Sequence, residues 1–363
     1  MWKMKLKEMP PTTQAPTVPP AMRAWVRSRR GPANTTLKLI SDYPTPAIPT
    51  ASSSDILIRV SHVSLQFSTE MMMKILPSLP LNSPWVPEIE LSGEVVAAGG
   101  DAPAEMRRPG SHVVAFESVP GSIFMGRGVL AEYVRIPACQ VVNIEAGVDM
   151  ASASGISGSG SVALRMVRTG GIRAGHSVLV NGASGSVGSL LVQLCRLRGA
   201  KVVGIASGGN ESMVRDLGVD EFIDYRNHDK LPTYLARQYG DRPFDFVLDC
   251  VGTQALFVNS PAYLKVGGTV INIGVFEGMF ASARNALFNN WLPIWLGGVP
   301  RRYIMFSTSP ACDDVIYLAR LIEEGRLRIP VDSVFSMEEA VGAYERIATK
   351  RARGKVVVKV QGG

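Results

Sequence analysis

From Met22 to about Val142, short apolar runs such as Ile56–Val60, Gly93–Ala97, His112–Phe116 and Ala131–Ile136 alternate with clusters of Pro, Gly and Ser. Runs of that length with that punctuation predict the strands of a barrel-like, β-rich domain. From Ala151 the rhythm changes. Ser177–Asn181, Lys201–Ala206, Glu221–Asp224, Phe244–Cys250, Thr269–Ile273 and Tyr303–Phe306 read as six strands, with helical stretches Val187–Arg198 and Glu211–Leu217 between the early ones. Such alternation predicts an α/β domain, a parallel sheet with helices on both faces. Asp313–Glu324 and Met337–Thr349 predict two more helices. The closing Lys355–Val360 alternates like a strand but has no helical crossover near it, so its partner is expected in the N-terminal domain.

Composition bounds the function class. With 363 residues, 46% of them hydrophobic, the chain is long enough for two domains with substantial cores. Its net charge of +7 is misleading. Residues 1–31 hold Lys3, Lys5, Lys7, Arg23, Arg27, Arg29 and Arg30 against Glu8 alone, so six of those seven charges lie there. A nucleic-acid groove needs its basic excess on the folded body, so that partner is not expected. Residues 1–20 are rich in Pro, Thr and Lys and lack the apolar core of a secretory signal, which predicts a disordered tail. The four cysteines, Cys139, Cys195, Cys250 and Cys312, form no close pair and fit reduced thiols in a cytoplasm. The apolar stretch Leu287–Val299 contains Pro293 and is too short to span a bilayer. The overlapping Trp-rich segment Asn290–Tyr303 reads as a hydrophobic linker into the sixth strand, forming a dimer interface or a pocket wall in preference to a membrane-surface contact.

The sharpest chemical signal is residues 177–207. An apolar strand runs into Gly182-Ala-Ser-Gly185-Ser-Val-Gly188, an amphipathic helix follows, and Gly199 closes it before the next strand. In this context Gly182 permits a tight turn, Gly185 lets backbone N–H groups reach a pyrophosphate, and Gly188 lets helix pack on strand. The helix N-terminus adds unpaired N–H groups and positive dipole. The second strand ends Ile205-Ala206-Ser207-Gly208-Gly209-Asn210, without the acid that would clasp a free ribose 2′-hydroxyl. Ser207, Asn210 and nearby Arg226 suit a 2′-phosphate instead, so NADPH is the expected cofactor.

VLVNGASGSVG, VRDLGVDEFIDY and FDFVLDCVG resemble the medium-chain dehydrogenase/reductase superfamily, most closely its zinc-independent quinone oxidoreductase and enoyl reductase branch. MRAW at 22–25, PEIELSGEVVAAG at 87–99, GSHVVAF at 110–116, LAEYVRIP at 130–137 and EEAVGAYERIATKRARGKVVVKV at 338–360 extend the likeness over nearly everything after residue 21. The resemblance implies a GroES-like β-rich domain over 21–150, completed by 326–363, and a Rossmann doubly wound parallel-sheet domain over 151–325. Cofactor would lie in the cleft between them. It adds Ser184, Ser186 and Val187 to the cofactor set, with Tyr225, Val251, Gly252 and Ile273. NADPH-preferring relatives often carry Lys or Arg where this chain has Gly209, so one phosphate contact is expected to be missing.

The resemblance also locates what is changed. Zinc-dependent relatives place a histidine ligand within a Gly-His-Glu run; the matching triplet here is Glu88-Ile89-Glu90, and isoleucine cannot bind zinc, so no metal is expected. The family's Asn-x-x-Asp near the cleft becomes Gln66 and Thr69, and the threonine often facing the nicotinamide becomes Val162. Gln66 retains a hydrogen-bond donor, but Thr69 cannot supply a carboxylate. Cys195 and Cys250 read as core thiols and His112 and His176 as surface or turn residues, while Tyr133 and Tyr303 read equally as structural residues or proton donors. The expectation is an NADPH-dependent reductase of a small conjugated carbonyl, enoyl or quinone, with a homodimer as an open option. The rival is a nucleotide-binding protein of this fold that has lost reductase chemistry.

Overall fold

The structure is a computed structural model that describes residues 18–77 and 84–361; the tail expected at 1–20 falls outside it as far as residue 17. Near the N-terminus, β1 (Ala21–Arg27) pairs antiparallel with β2 (Leu37–Pro44). The strands β3 (Asp55–Ser64), β4 (Glu90–Ala98), β5 (His112–Phe116), β6 (Tyr133–Pro137) and β7 (Val141–Asn143) belong to one mixed sheet. Alternation places Ile56, Ile58 and Val60 of β3 fully inside one core, with Leu91, Val113 and Ala115.

The second sheet holds β8 (Ser177–Asn181), β9 (Lys201–Ala206), β10 (Glu221–Asp224), β11 (Phe244–Asp249), β12 (Leu264–Asn272) and β13 (Arg302–Met305). All its pairs are parallel, in the order β10-β9-β8-β11-β12-β13. Parallel strands covered on both faces read as unbroken apolar runs, as Val178, Leu179 and Val180 do at zero exposure. Each such side chain contributes about 1.5–3 kcal/mol on burial. The strand order reverses between β8 and β11, and in sheets of this kind the ligand crevice lies beyond the carboxyl ends of the two strands at that point.

The chain then returns. β14 (Val331–Ser336) and β15 (Lys355–Lys359) join the first sheet, β15 lying antiparallel on β3 with Val358 opposite Val63. Element edges differ slightly from the sequence reading: the helix expected from Val187 is Gly188–Leu197, and that expected over Met337–Thr349 is a short 3-10 turn followed by Ala340–Ala348. One difference is larger. Asn290–Tyr303, read as a linker into the sixth strand, begins in the last residues of a helix over Met279–Trp291 that the sequence reading did not include, and continues through a turn at Ile294–Leu296.

Candidate functional site

β8 ends at Asn181 and the chain turns at Gly182, whose φ of +80° is open to glycine at little cost. The Gly182 and Ala183 N–H groups both donate to the Ile205 carbonyl, at 3.0 and 2.9 Å, anchoring the turn on β9. A Cβ at Gly188 would overlap the Gly182 carbonyl, so that glycine permits the helix to pack on the strand. Gly185 differs. A Cβ there would meet only the Gly182 oxygen, at 3.4 Å, so its outer face is free for a ligand to approach. Ser184, Ser186 and Val187 complete the turn, and Ser189 N–H donates to the Gly185 carbonyl at 3.0 Å.

At the end of β9, Asn210 Nδ2 donates to Ser184 Oγ at 2.8 Å, joining the second turn to the first. Ser207 opens this turn and accepts the Asn210 N–H. Arg353 arrives from the segment before β15. Its guanidinium Nη2 lies 3.6 Å from where a Gly209 Cβ would stand, and it makes no ion pair among the described residues. Its backbone N–H is fixed by Asp332 at 2.8 Å, and Asp332 is in turn clamped by Arg346. A cation from a distant part of the chain therefore stands over Gly209. Tyr225 is exposed beside Arg226, whose guanidinium stands 5.9 Å from its ring. Asp224 closes β10 and accepts the Arg226 N–H at 3.0 Å.

Across the crevice, Asp249 ends β11 fully buried. It accepts Asn181 Nδ2 at 2.8 Å and the N–H groups of Val251 and Gly252 at 2.9 Å each. Burial pushes its carboxyl pKa up, opposed by these donors. A Cβ at Gly252 would overlap the Gly274 carbonyl, so the loops after β11 and β12 interlock. Ile273 N–H donates to the Asp249 carbonyl at 3.0 Å, bringing Val251, Gly252 and Ile273 together. Asn272 donates to Gly274 O and to Tyr303 Oη, both at 3.0 Å, which keeps Tyr303 structural. Asn181, Asp249 and Asn272 form a buried polar layer that sequence reasoning did not single out. Their position at three strand ends was the available signal.

On the other wall, the expected substrate contacts are turned inward. Gln66 Nε2 donates to Glu90 Oε1 at 3.3 Å, and its carbonyl accepts Ser68 Oγ at 3.2 Å. Thr69 is buried and donates to Glu88 Oε2 at 3.2 Å. Val162 is half-buried in the helix Ser161–Thr169, packed on the second core. Behind Gln66, Lys355 Nζ meets Glu90 Oε1 at 2.6 Å, both side chains fully buried, and Glu90 also accepts the Gly158 N–H at 2.6 Å. Lys355, on β15, thus ties the closing strand to β4 and to the π-helical turn Ile156–Gly160. Glu88, at φ +68°, accepts Tyr344 Oη at 2.7 Å; burial pushes its carboxyl up to about 8.

Ile89 is buried between these two carboxylates. Both acids are committed to protein donors, and among the described residues no three His, Cys, Asp or Glu side chains stand close enough to hold a metal ion. The donor set at this position does not fit zinc. His176 accepts the Arg173 N–H through Nδ1, and burial pushes the Cys195 thiol up to about 12, which makes it a core thiol.

Residues 52–146 match the alcohol dehydrogenase GroES-like domain, and residues 217–358 match the family described as zinc-binding dehydrogenase. The medium chain reductase pydE of an Acremonium species is 46% identical, over 93% of this chain and 99% of its own. This chain belongs to the medium-chain dehydrogenase/reductase superfamily. Within that superfamily it stands on the enoyl- and quinone-reductase branch. The trans-enoyl reductase poxH of Penicillium oxalicum is 33% identical, over 94% of this chain and 98% of its own. The quinone oxidoreductase of Coxiella burnetii superposes with a TM-score of 0.75 at 26% identity, covering 94% of this chain and all of that one. The first sheet is its GroES-like domain and the parallel sheet its Rossmann domain. This chain is a nicotinamide-dependent oxidoreductase.

Proposed function

We propose that this reductase adds hydride to an activated, conjugated carbonyl compound, an enoyl compound or a quinone, using NADPH and no metal. The observation that carries the reading is hydrocarbon Ile89 between two carboxyl groups already bonded to protein donors at the family's metal position. Reducing an isolated carbonyl concentrates charge on one oxygen, which calls for a strong electrophile. A conjugated acceptor spreads that charge over an enolate or quinol and needs less help. The relatives' names, medium chain reductase and trans-enoyl reductase, support the same substrate class.

The nicotinamide, when bound, supplies the hydride. The chain's own residues bind and orient. Gly185 would admit the pyrophosphate to the helix N-terminus, Arg353 and Ser207 would hold the 2′-phosphate, and Val251, Gly252 and Ile273 would hold the nicotinamide end. Gln66 keeps one amide hydrogen for a substrate carbonyl while Glu90 holds the other. Bulk water or a donor yet to be identified on the chain completes the protonation. We take residues 21–150 with 326–363 as the substrate-side domain, 151–325 as the cofactor domain, and the cytoplasm as the compartment. The inward turn of Gln66 and Thr69 favours a second reading, cofactor binding without reduction. Anaerobic NADPH oxidation with enals, enones and quinones separates the two: turnover of one class supports reduction, and tight binding without turnover across the panel supports the second reading.

A further inference from the structure

Behind Gln66 lies a buried ion pair. Lys355 Nζ and Glu90 Oε1 stand 2.6 Å apart, with side-chain exposures of 2% and 0%. Such a pair adds little to stability, because the cost of desolvating two charges roughly cancels their attraction. Hydrocarbon side chains of similar volume would fill the space as well. What the pair secures is direction. Lys355 also donates to Ser159 Oγ and to the Leu65 carbonyl, at 3.3 and 3.4 Å, so each of its three protons has an acceptor. Glu90 accepts from Lys355 and Gln66 through Oε1 and from the Gly158 N–H through Oε2. The pair therefore joins β15, β4 and the π-helical turn Ile156–Gly160, which leads into the helix that carries Val162.

Two constraints then act on Gln66. The first is polarity. A carboxylate accepts hydrogen bonds and cannot donate them, so Gln66 turns Nε2, and not its carbonyl, toward Glu90. The carbonyl takes Ser68 Oγ at 3.2 Å, and the Gln66 backbone N–H is held by Glu88 Oε2 at 3.1 Å. One amide hydrogen is left over. Without the ammonium of Lys355, Glu90 would be free to take up a proton, donate to Gln66 and turn the amide over. The second constraint is room. A Cβ at Gly158 would stand 2.4 Å from Gln66 Nε2 and 2.9 Å from Glu90 Oε2, so glycine there leaves the amide its place. The two constraints come from different elements and converge on one nitrogen.

We propose that Lys355, Glu90 and Gly158 are positioning residues that hold Gln66 as a fixed hydrogen-bond donor to the oxygen of a conjugated carbonyl. The inference rests on the reading of this chain as a reductase of such compounds. It makes that oxygen, and not the hydrocarbon around it, the feature by which this wall selects an acceptor.

Isothermal titration of an enal, an enone and a quinone into the chain loaded with NADP+ tests this with no hydride available to move. Gln66→Ala weakens acceptor binding about two- to tenfold, the span of one neutral hydrogen bond. Gly158→Ala weakens it by the same factor, as does the paired replacement Lys355→Met with Glu90→Met, which leaves neither charge alone. In the Gln66→Ala background neither change weakens binding further, because both act through Gln66. The hydrocarbon with the shape of the enal binds all variants alike, and NADPH binds them as it binds wild type. Circular dichroism melting checks folding; if the paired replacement unfolds, Gly158→Ala completes the cycle by itself. The proposal is overturned if no acceptor binds, if the losses add in the combined variants, or if hydrocarbon or NADPH binding falls in step. Losses that do not add, in a chain without turnover, uphold it and remove the reading of reduction instead.

Discussion

Replacing Arg353 by Ala removes a guanidinium that touches the cofactor turn and little else. Its side chain is exposed and forms no ion pair among the described residues, while its N–H bond to Asp332 survives in the variant. The fold should therefore be unaffected. A charge-assisted hydrogen bond contributes about 1.5–3 kcal/mol, and exposure to solvent reduces this to about 1–2 kcal/mol. NADPH binding should weaken about five- to thirtyfold, with NADH, which lacks the phosphate, unchanged. Wild type should prefer NADPH by about one to two orders of magnitude, or about 1.4–2.7 kcal/mol, and Arg353→Ala should remove most of that preference. Fluorescence titration of both cofactors at matched salt reads this directly, and added salt should narrow the wild-type gap. Equal weakening of both cofactors, or none, would refute the placement of Arg353 at the 2′-phosphate.

Three further outcomes follow from the geometry. Gly185→Val should abolish binding of either cofactor while leaving the melting temperature nearly unchanged, because only the Gly182 oxygen, at 3.4 Å, lies near the new Cβ. Glu88 has a folded pKa near 8 against 4.5 as its ordinary value, so the folded state holds a proton that the unfolded chain releases. Its contribution is fully present below 4.5 and is lost as pH rises through 8. Urea unfolding should show wild type losing about 2–3 kcal/mol more than Glu88→Gln between about pH 6 and 9. Elemental analysis of untagged protein should find well under one zinc per chain, with activity intact in chelator; stoichiometric zinc with chelator-sensitive turnover would overturn the reading of Ile89.

What was legible in the sequence was local. The turn from Gly182 to Gly188 stands within one strand–helix unit, so its conformational demands show in adjacent residues. The alternation of 355–360 marks a strand, although its pairing with β3 depends on a contact almost 300 residues away in the chain. Arg353 illustrates the limit. Its place over Gly209 is set by β14, β15 and the Asp332 clamp, and nothing near either residue announces it. The helix Met279–Trp291 was hidden for a different reason. Periodicity reasoning assigns apolar positions to the inside, and here asparagines and a serine take the inner face, so the stretch gives no ordinary helix signal. Gln66 and Thr69 were found as positions, but their partners Glu90 and Glu88 fix their direction, and a spacing argument carries no direction.

The central claim is conjugate reduction without a metal, and isotope transfer tests it most directly. NADPH deuterated at the transferring position of its nicotinamide should deliver one deuterium to the β-carbon of an enal or enone, read by mass spectrometry and NMR of the saturated product. In deuterated water with unlabelled NADPH, the label should appear at the α-carbon instead. Deuterium at the carbonyl carbon, giving an unsaturated alcohol, would contradict the account.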